Sequence, residues 1–84
     1  MVYEVRWLDE GKKDLRNLER DIIIRIIKKV ELIKENPAAY IKKLVGKDEW
    51  SLRIGDYRAL IHLDNKNERI YVLKIGHRKN IYDY

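Results

Sequence analysis

The chain has 84 residues, enough for one small domain spanning 1–84 with an adequate but not generous core. It has no cysteine, which excludes disulfides and thiolate metal sites; its two histidines, His62 and His77, stand apart with no carboxylate cluster between them, so neither a metal nor another cofactor is expected. The net charge is +5, and the excess is uneven: residues 1–41 carry nine Lys/Arg against eight Asp/Glu, residues 42–84 ten against six. The basic second half favours nucleic acid or an acidic protein as partner.

The opening MVYEVRW alternates like a strand and is not expected to be a signal peptide. No apolar run approaches membrane-spanning length, so no membrane partner is expected, and the lack of cysteine is compatible with a cytoplasmic home. Val2–Trp7 is predicted as a strand with Tyr3, Val5 and Trp7 on one face and Glu4 and Arg6 on the other. Asp9 suits an N-cap, and a short helix runs to about Leu18 with Leu8, Leu15 and Leu18 inward. Gly11 weakens that helix or permits close packing. Asp21 opens the longest helix, which Pro37 ends at or before Asn36. Its inward face is predicted as Ile23, Ile26, Ile27, Val30 and Ile33, at the spacing of one helical stripe. Both helices read as core-forming, with no chemistry of their own. A connector, Pro37–Lys47, carries Lys42, Lys43 and Lys47; these are either solvated charges or the border of a phosphate site.

Two hairpins follow. Trp50–Ile54 and Tyr57–Leu63 alternate, and the intervening Gly55-Asp56 suits a type II′ turn with Gly at its positive-φ position. That turn places Ile54 opposite Tyr57 and Arg53 opposite Arg58. For the second hairpin a five-residue loop, Asp64–Glu68, keeps the faces unmixed. It puts Tyr57, Ala59, Ile61, Leu63, Tyr71, Leu73 and Ile75 on an apolar face and Arg53, Arg58 and Lys74 in a row across the other. By parity Arg78 continues that row. The expected architecture is α+β: an N-terminal strand and a helical hairpin packed on one face of a mostly antiparallel four-stranded sheet.

Two arginines directly opposite each other repel, and folding alone does not call for them. An anion is the simplest reason for the pair. Arg53, Arg58, Lys74 and Arg78 face one way, and Tyr82 and Tyr84 follow closely in sequence. Arginines bind phosphate bidentately, and a tyrosine phenol can stack on a base or move a proton. Metal-free RNA scission needs these groups, because the RNA 2′-OH supplies the nucleophile. A basic surface that docks an acidic peptide uses the same charges. His77, beside Arg78, is a candidate general base or a packing residue at a strand end.

The segments ENPAAYIKKLVG, LRIGDYRALI and VLKIGHRKNIY, in that order after a strand and a helical hairpin, resemble the RelE/ParE toxin superfamily, most closely archaeal RelE-like mRNA interferase toxins. The resemblance covers almost the whole chain. It implies the toxin of a type II toxin–antitoxin pair. It also implies a cytoplasmic endoribonuclease that inhibits translation by cleaving mRNA in the ribosomal A site, with a RelB-like antitoxin as cognate partner. ParE members poison DNA gyrase on the same fold, and that alternative stays open, as does a basic binding module with weak catalysis. By position, Arg58 matches the arginine of the family's G-x-Y-R strand, Arg53 a second arginine upstream, and Arg78 the arginine after the last strand. Tyr82 or Tyr84 corresponds to the C-terminal tyrosine. The catalytic set is thus Arg58, Arg78, Tyr82 and Tyr84, with Arg53, Lys74, Lys42, Lys43 and Lys47 as RNA or phosphate ligands. One departure stands out. Where the best-known bacterial RelE has two alternating lysines, this chain has Glu49 and Ser51; Lys42, Lys43, Lys47 or Lys74 are the candidates to substitute.

Overall fold

The computed structural model describes residues 2–81. In chain order the elements are β1 (Glu4–Trp7), α1 (Asp9–Arg16), α2 (Arg20–Leu32), β2 (Ile41–Lys43), β3 (Trp50–Ile54), β4 (Tyr57–Asp64), β5 (Arg69–His77) and α3 (Arg78–Ile81). Two 3₁₀ turns, Ile33–Glu35 and Pro37–Ala39, join α2 to β2. The sheet has the order β1-β5-β4-β3-β2, with β1 parallel to β5 and every other pair antiparallel. The α+β architecture is as expected, but the sheet has five strands and not four. The extra strand is Ile41–Lys43, inside the predicted connector, and three residues are too few to show an alternating pattern.

One face of the sheet carries the core. Leu52, Ile54, Ala59, Ile61, Ile70, Val72 and Ile75 meet Ile26, Val30 and Ile33 of the α2 segment, all nearly or fully buried. Tyr3, Val5 and Trp7 pack against this cluster, as their alternation predicted. Ile27 and Leu8, both expected in the core, do not: each is 42% exposed. The buried stripe of α2 runs through Ile26, Val30 and Ile33, which rotates Ile27 toward the helix flank. Leu8 precedes α1 as its N-cap residue, so Asp9 lies in the first turn and does not cap.

The second hairpin departs from the predicted register in an instructive way. Asp64 pairs with Arg69, so the loop is four residues, Asn65–Glu68. Asp64 ends the strand because its carboxylate accepts from the Asn67 backbone N–H (3.2 Å) and from Asn67 Nδ2 (2.9 Å). These bonds hold its carboxyl below the usual carboxylate range. Glu68 closes the loop at φ +54. With this loop Ile70 and Val72 enter the core and Tyr71 points the other way, toward His62 (ring centroids 5.8 Å). A four-residue loop alone would then bury Lys74. It does not, because a β-bulge opposite Leu60/Ile61 inserts Leu73 and restores parity: Ala59 pairs with Ile75 and Leu60 with Lys74.

The bulge lies where β1 ends and α1 takes over the edge of β5. Leu8 N–H donates to the Val72 carbonyl (3.1 Å), and Asp14 Oδ2 accepts from Ile75 N–H (2.9 Å). Gly11 is buried here, and a Cβ on it would lie 2.8 Å from the Val72 carbonyl oxygen. That oxygen belongs to a central backbone and cannot yield. Gly11→Ala is therefore expected to cost about 1–3 kcal/mol, the range of overpacking, despite alanine's better helix propensity. Chemical denaturation measures it; a neutral or stabilising result would mean that α1 does not sit against β5 this closely.

Candidate functional site

The face turned away from the helices is built from alternate residues of four strands. Nearest the Gly55-Asp56 turn, Arg53 pairs with Arg58 and Arg58 with Gly76. The adjoining row runs Lys42, Ser51, Leu60, Lys74. Gly55 has φ +60 and Asp56 is not at positive φ, the combination a type II′ turn needs, so the turn sets the arginine register as predicted. Opposite Arg58 on its other side stands Gly76, which has no side chain.

Each cation of this face has a distinct setting. Arg58 is half-buried, with its Nε buried and an Nη1 3.5 Å from Ser51 Oγ. Ser51 is only 8% exposed and Leu60 3%, although both face away from the helices. Arg53 is exposed and bends toward the turn, its Nε donating to the Gly55 carbonyl (3.3 Å). The two arginines are thus paired by backbone register, while Arg53 carries its charge away from Arg58. Lys74 Nζ lies 3.1 Å from Glu10 Oε1 of α1. Lys42 is exposed beside Ser51.

The remaining predicted residues separate. Lys43 is on the opposite face, its Nζ 5.4 Å from the Trp50 ring centroid. Lys47 lies in the loop between β2 and β3, at the other end of β3 from Arg53. His77 pairs with Tyr57 on the helix side, edge-on to its ring at 5.7 Å, and its Nδ1 accepts from Lys79 N–H (3.3 Å). It therefore closes the start of α3 and does not share a face with Arg58. Arg78 N–H donates to the Asp56 carbonyl (2.8 Å), which extends the β4–β5 ladder by one step and seats Arg78 beside the turn. Tyr82 and Tyr84 lie outside the described residues.

Titration is perturbed at the far end of the sheet. Hydrogen bonding and charge from Arg6 lower the Glu4 carboxyl, and Tyr71 raises the Arg69 guanidinium, above the ordinary range. Among the described residues no group of His, Asp and Glu could hold a metal ion, and no helix is long and apolar enough to cross a membrane. Reading α2 by its apolar stripe alone overlooked Arg25, Lys28 and Lys29. With Arg53 they line a groove of about 370 Å³ between α2 and the β3–β4 turn. The R-x-x-K-K spacing was visible, but its closeness to Arg53 is a tertiary fact.

The protein family described as the ParE toxin of the type II toxin–antitoxin system parDE matches residues 5–82. No curated protein matches the chain. Among solved structures, a chain of the toxin–antitoxin complex RelBE2 from Mycobacterium tuberculosis is 25% identical, with a TM-score of 0.86 over 93% of this chain and 100% of that one. A chain of the archaeal RelE–RelB complex from Pyrococcus horikoshii is also 25% identical, with a TM-score of 0.81 over 95% and 99% of the two chains. The RelB–RelE antitoxin–toxin complex from Methanococcus jannaschii gives 28% identity and 0.72 over 93% and 95%. With the family match spanning nearly the whole sequence and these folds superposing end to end, the chain belongs to the RelE/ParE family and is a toxin of the type II toxin–antitoxin class.

Proposed function

We propose that this toxin is a ribosome-dependent mRNA endonuclease that cleaves in the A site, in the cytoplasm, and that a RelB-like antitoxin neutralises it. The carrying observation is the Arg53–Arg58 register pair beside Gly76, on the face of the sheet turned away from the core. In the reaction the 2′-OH attacks the adjacent phosphodiester. A P–O2′ bond forms, the P–O5′ bond breaks, and the products are a 2′,3′-cyclic phosphate and a 5′-OH. The half-buried Arg58 is placed to neutralise the crowded phosphorane, since a guanidinium in low dielectric acts more strongly than one in water. Arg78, seated beside the turn, is assigned to the same phosphate and Arg53 to the neighbouring backbone. Tyr82 or Tyr84 stacks on a base or transfers a proton.

Serine at position 51 leaves the row short of one ammonium, and Lys42, on the next strand directly opposite, supplies it. Lys43 points to the other face. A charged hydrogen bond is worth about 1.5–3 kcal/mol, so Lys42→Ala is expected to slow cleavage roughly 10- to 100-fold, while Lys43→Ala leaves it unchanged. Equal effects of the two substitutions would remove Lys42 from the site.

The antitoxin reading is supported by the solved relatives being RelB–RelE complexes. An acidic segment that covers Arg53, Arg58 and Arg78 and moves the C-terminal residues would block RNA and associate fast and salt-sensitively. The second reading, a gyrase-directed toxin, is favoured by the family match being to ParE. Translating ribosomes with mRNA, mapped by primer extension beside a gyrase supercoiling assay, separate the two. The expected result is A-site cleavage with unimpaired supercoiling; gyrase inhibition with intact mRNA would replace the first reading by the second.

A further inference from the structure

We infer that the groove between α2 and the β3–β4 turn is a second phosphodiester-binding site, which takes the continuation of a single RNA strand already bound on the outer face. The inference rests on the RNA reading of that face. Its basis is the concentration of Arg25, Lys28, Lys29 and Arg53 around one depression whose lining contains no acidic residue. Among the described residues none of the four forms an ion pair. Glu31, the carboxylate nearest in sequence to Lys28 and Lys29, is 2.9 Å from Lys34 instead. Four like charges gathered this way destabilise a fold unless something anionic joins them.

The geometry favours an extended polyanion. Arg25 and Lys29 are four residues apart, so their Cα atoms lie on one side of α2 about 6 Å apart along its axis. The ammonium of Lys29 is steadied over the Tyr40 ring at 5.3 Å. Gly55 keeps the groove open at the turn: a Cβ there would approach Arg25 Nη1 to 3.4 Å. The floor residue Ile54 is only 4% exposed and Leu32 at the rim is 55% exposed, so four cationic side chains surround a single well-exposed apolar one. Arg53 provides the continuity. Its backbone belongs to the Arg58 pair on the outer face, yet its guanidinium reaches the turn and lines the groove. A strand leaving Arg58 can therefore pass round the hairpin end and stay neutralised.

The test is equilibrium binding of 2′-O-methyl RNA, which cannot be cleaved by 2′-OH attack, to the wild type and to the triple variant Arg25→Gln/Lys28→Gln/Lys29→Gln. Two single-stranded oligomers are used, one short enough to cover only the outer face and one several times longer. The variant's thermal melt, expected to be unchanged or higher, reports folding. For the longer RNA the slope of log affinity against log salt should be shallower in the variant by about 2, since each single-strand phosphate contact contributes roughly 0.7. The short RNA should bind both proteins alike. Identical slopes in both proteins would overturn the inference, and so would an equal loss for both oligomers. Loss of an acidic polypeptide's binding with RNA binding intact would also overturn it, assigning the groove to a protein partner. None of these readouts needs cleavage, so they stand apart from the primer-extension result.

Discussion

Arg58→Ala is expected to reduce mRNA cleavage by at least about 100- to 1000-fold, the scale of removing one preorganised charge donor from a transition state. Arg58 is the cation that the fold holds most firmly on the outer face: half-buried, on a central strand, beside Ser51 and facing a glycine. Arg58→Lys keeps the charge and loses the planar fork, so it should recover only a small part of the rate. Stability should change little. Relief of repulsion from Arg53 contributes a few tenths of a kcal/mol, and the bend of Arg53 toward Gly55 already removes part of that repulsion. Lost packing of the half-buried stem offsets it. Full cleavage by Arg58→Ala, or a melting temperature lowered enough to explain the loss, would make Arg58 structural.

The second large effect is on folding. Ile61 is fully buried on the second strand of the first hairpin, pairing with Trp50 on one side and Val72 on the other. It sits directly beside the bulge that returns Lys74 to the outer face. Ile61→Ala should cost about 2–5 kcal/mol through lost transfer energy and a residual cavity. A domain of this size has a total stability on the order of 4–13 kcal/mol, so much of the population would unfold on mild warming. Denaturation by urea gives the number. A loss below about 1 kcal/mol would show that the core collapses around the site and that Ile61 does not anchor it.

Different physical signals made different parts of this protein legible. The Gly55-Asp56 turn is local chemistry, and from it the register of Arg53 and Arg58 followed directly. The next loop was misread because Asp64, counted as loop, is held in the strand by its own bonds to Asn67. Alternation then assigned Tyr71 to the core, where Ile70 and Val72 stand. Lys74 nevertheless reached the predicted face, since the five-residue loop and the four-residue loop with a bulge give the same parity beyond Leu73. No local pattern announces that bulge: it forms where α1 replaces β1 at the edge of β5. The pairing of β2 with β3, which brings Lys42 and not Lys43 to the outer face, likewise depends on a tertiary contact. Arg25, Lys28 and Lys29 looked like the solvated side of a core helix until the fold set them beside Arg53.

The most direct measurement uses two mRNAs on programmed ribosomes, identical except that the cleaved nucleotide carries ribose in one and 2′-deoxyribose in the other. Toxin is added and the products are mapped by primer extension, with a ribosome-free control. Cleavage at the A-site codon of the ribose mRNA alone, only with ribosomes and lost in Arg58→Ala, is the predicted result. Cleavage of the deoxyribose mRNA, or cleavage that needs no ribosome, would contradict it.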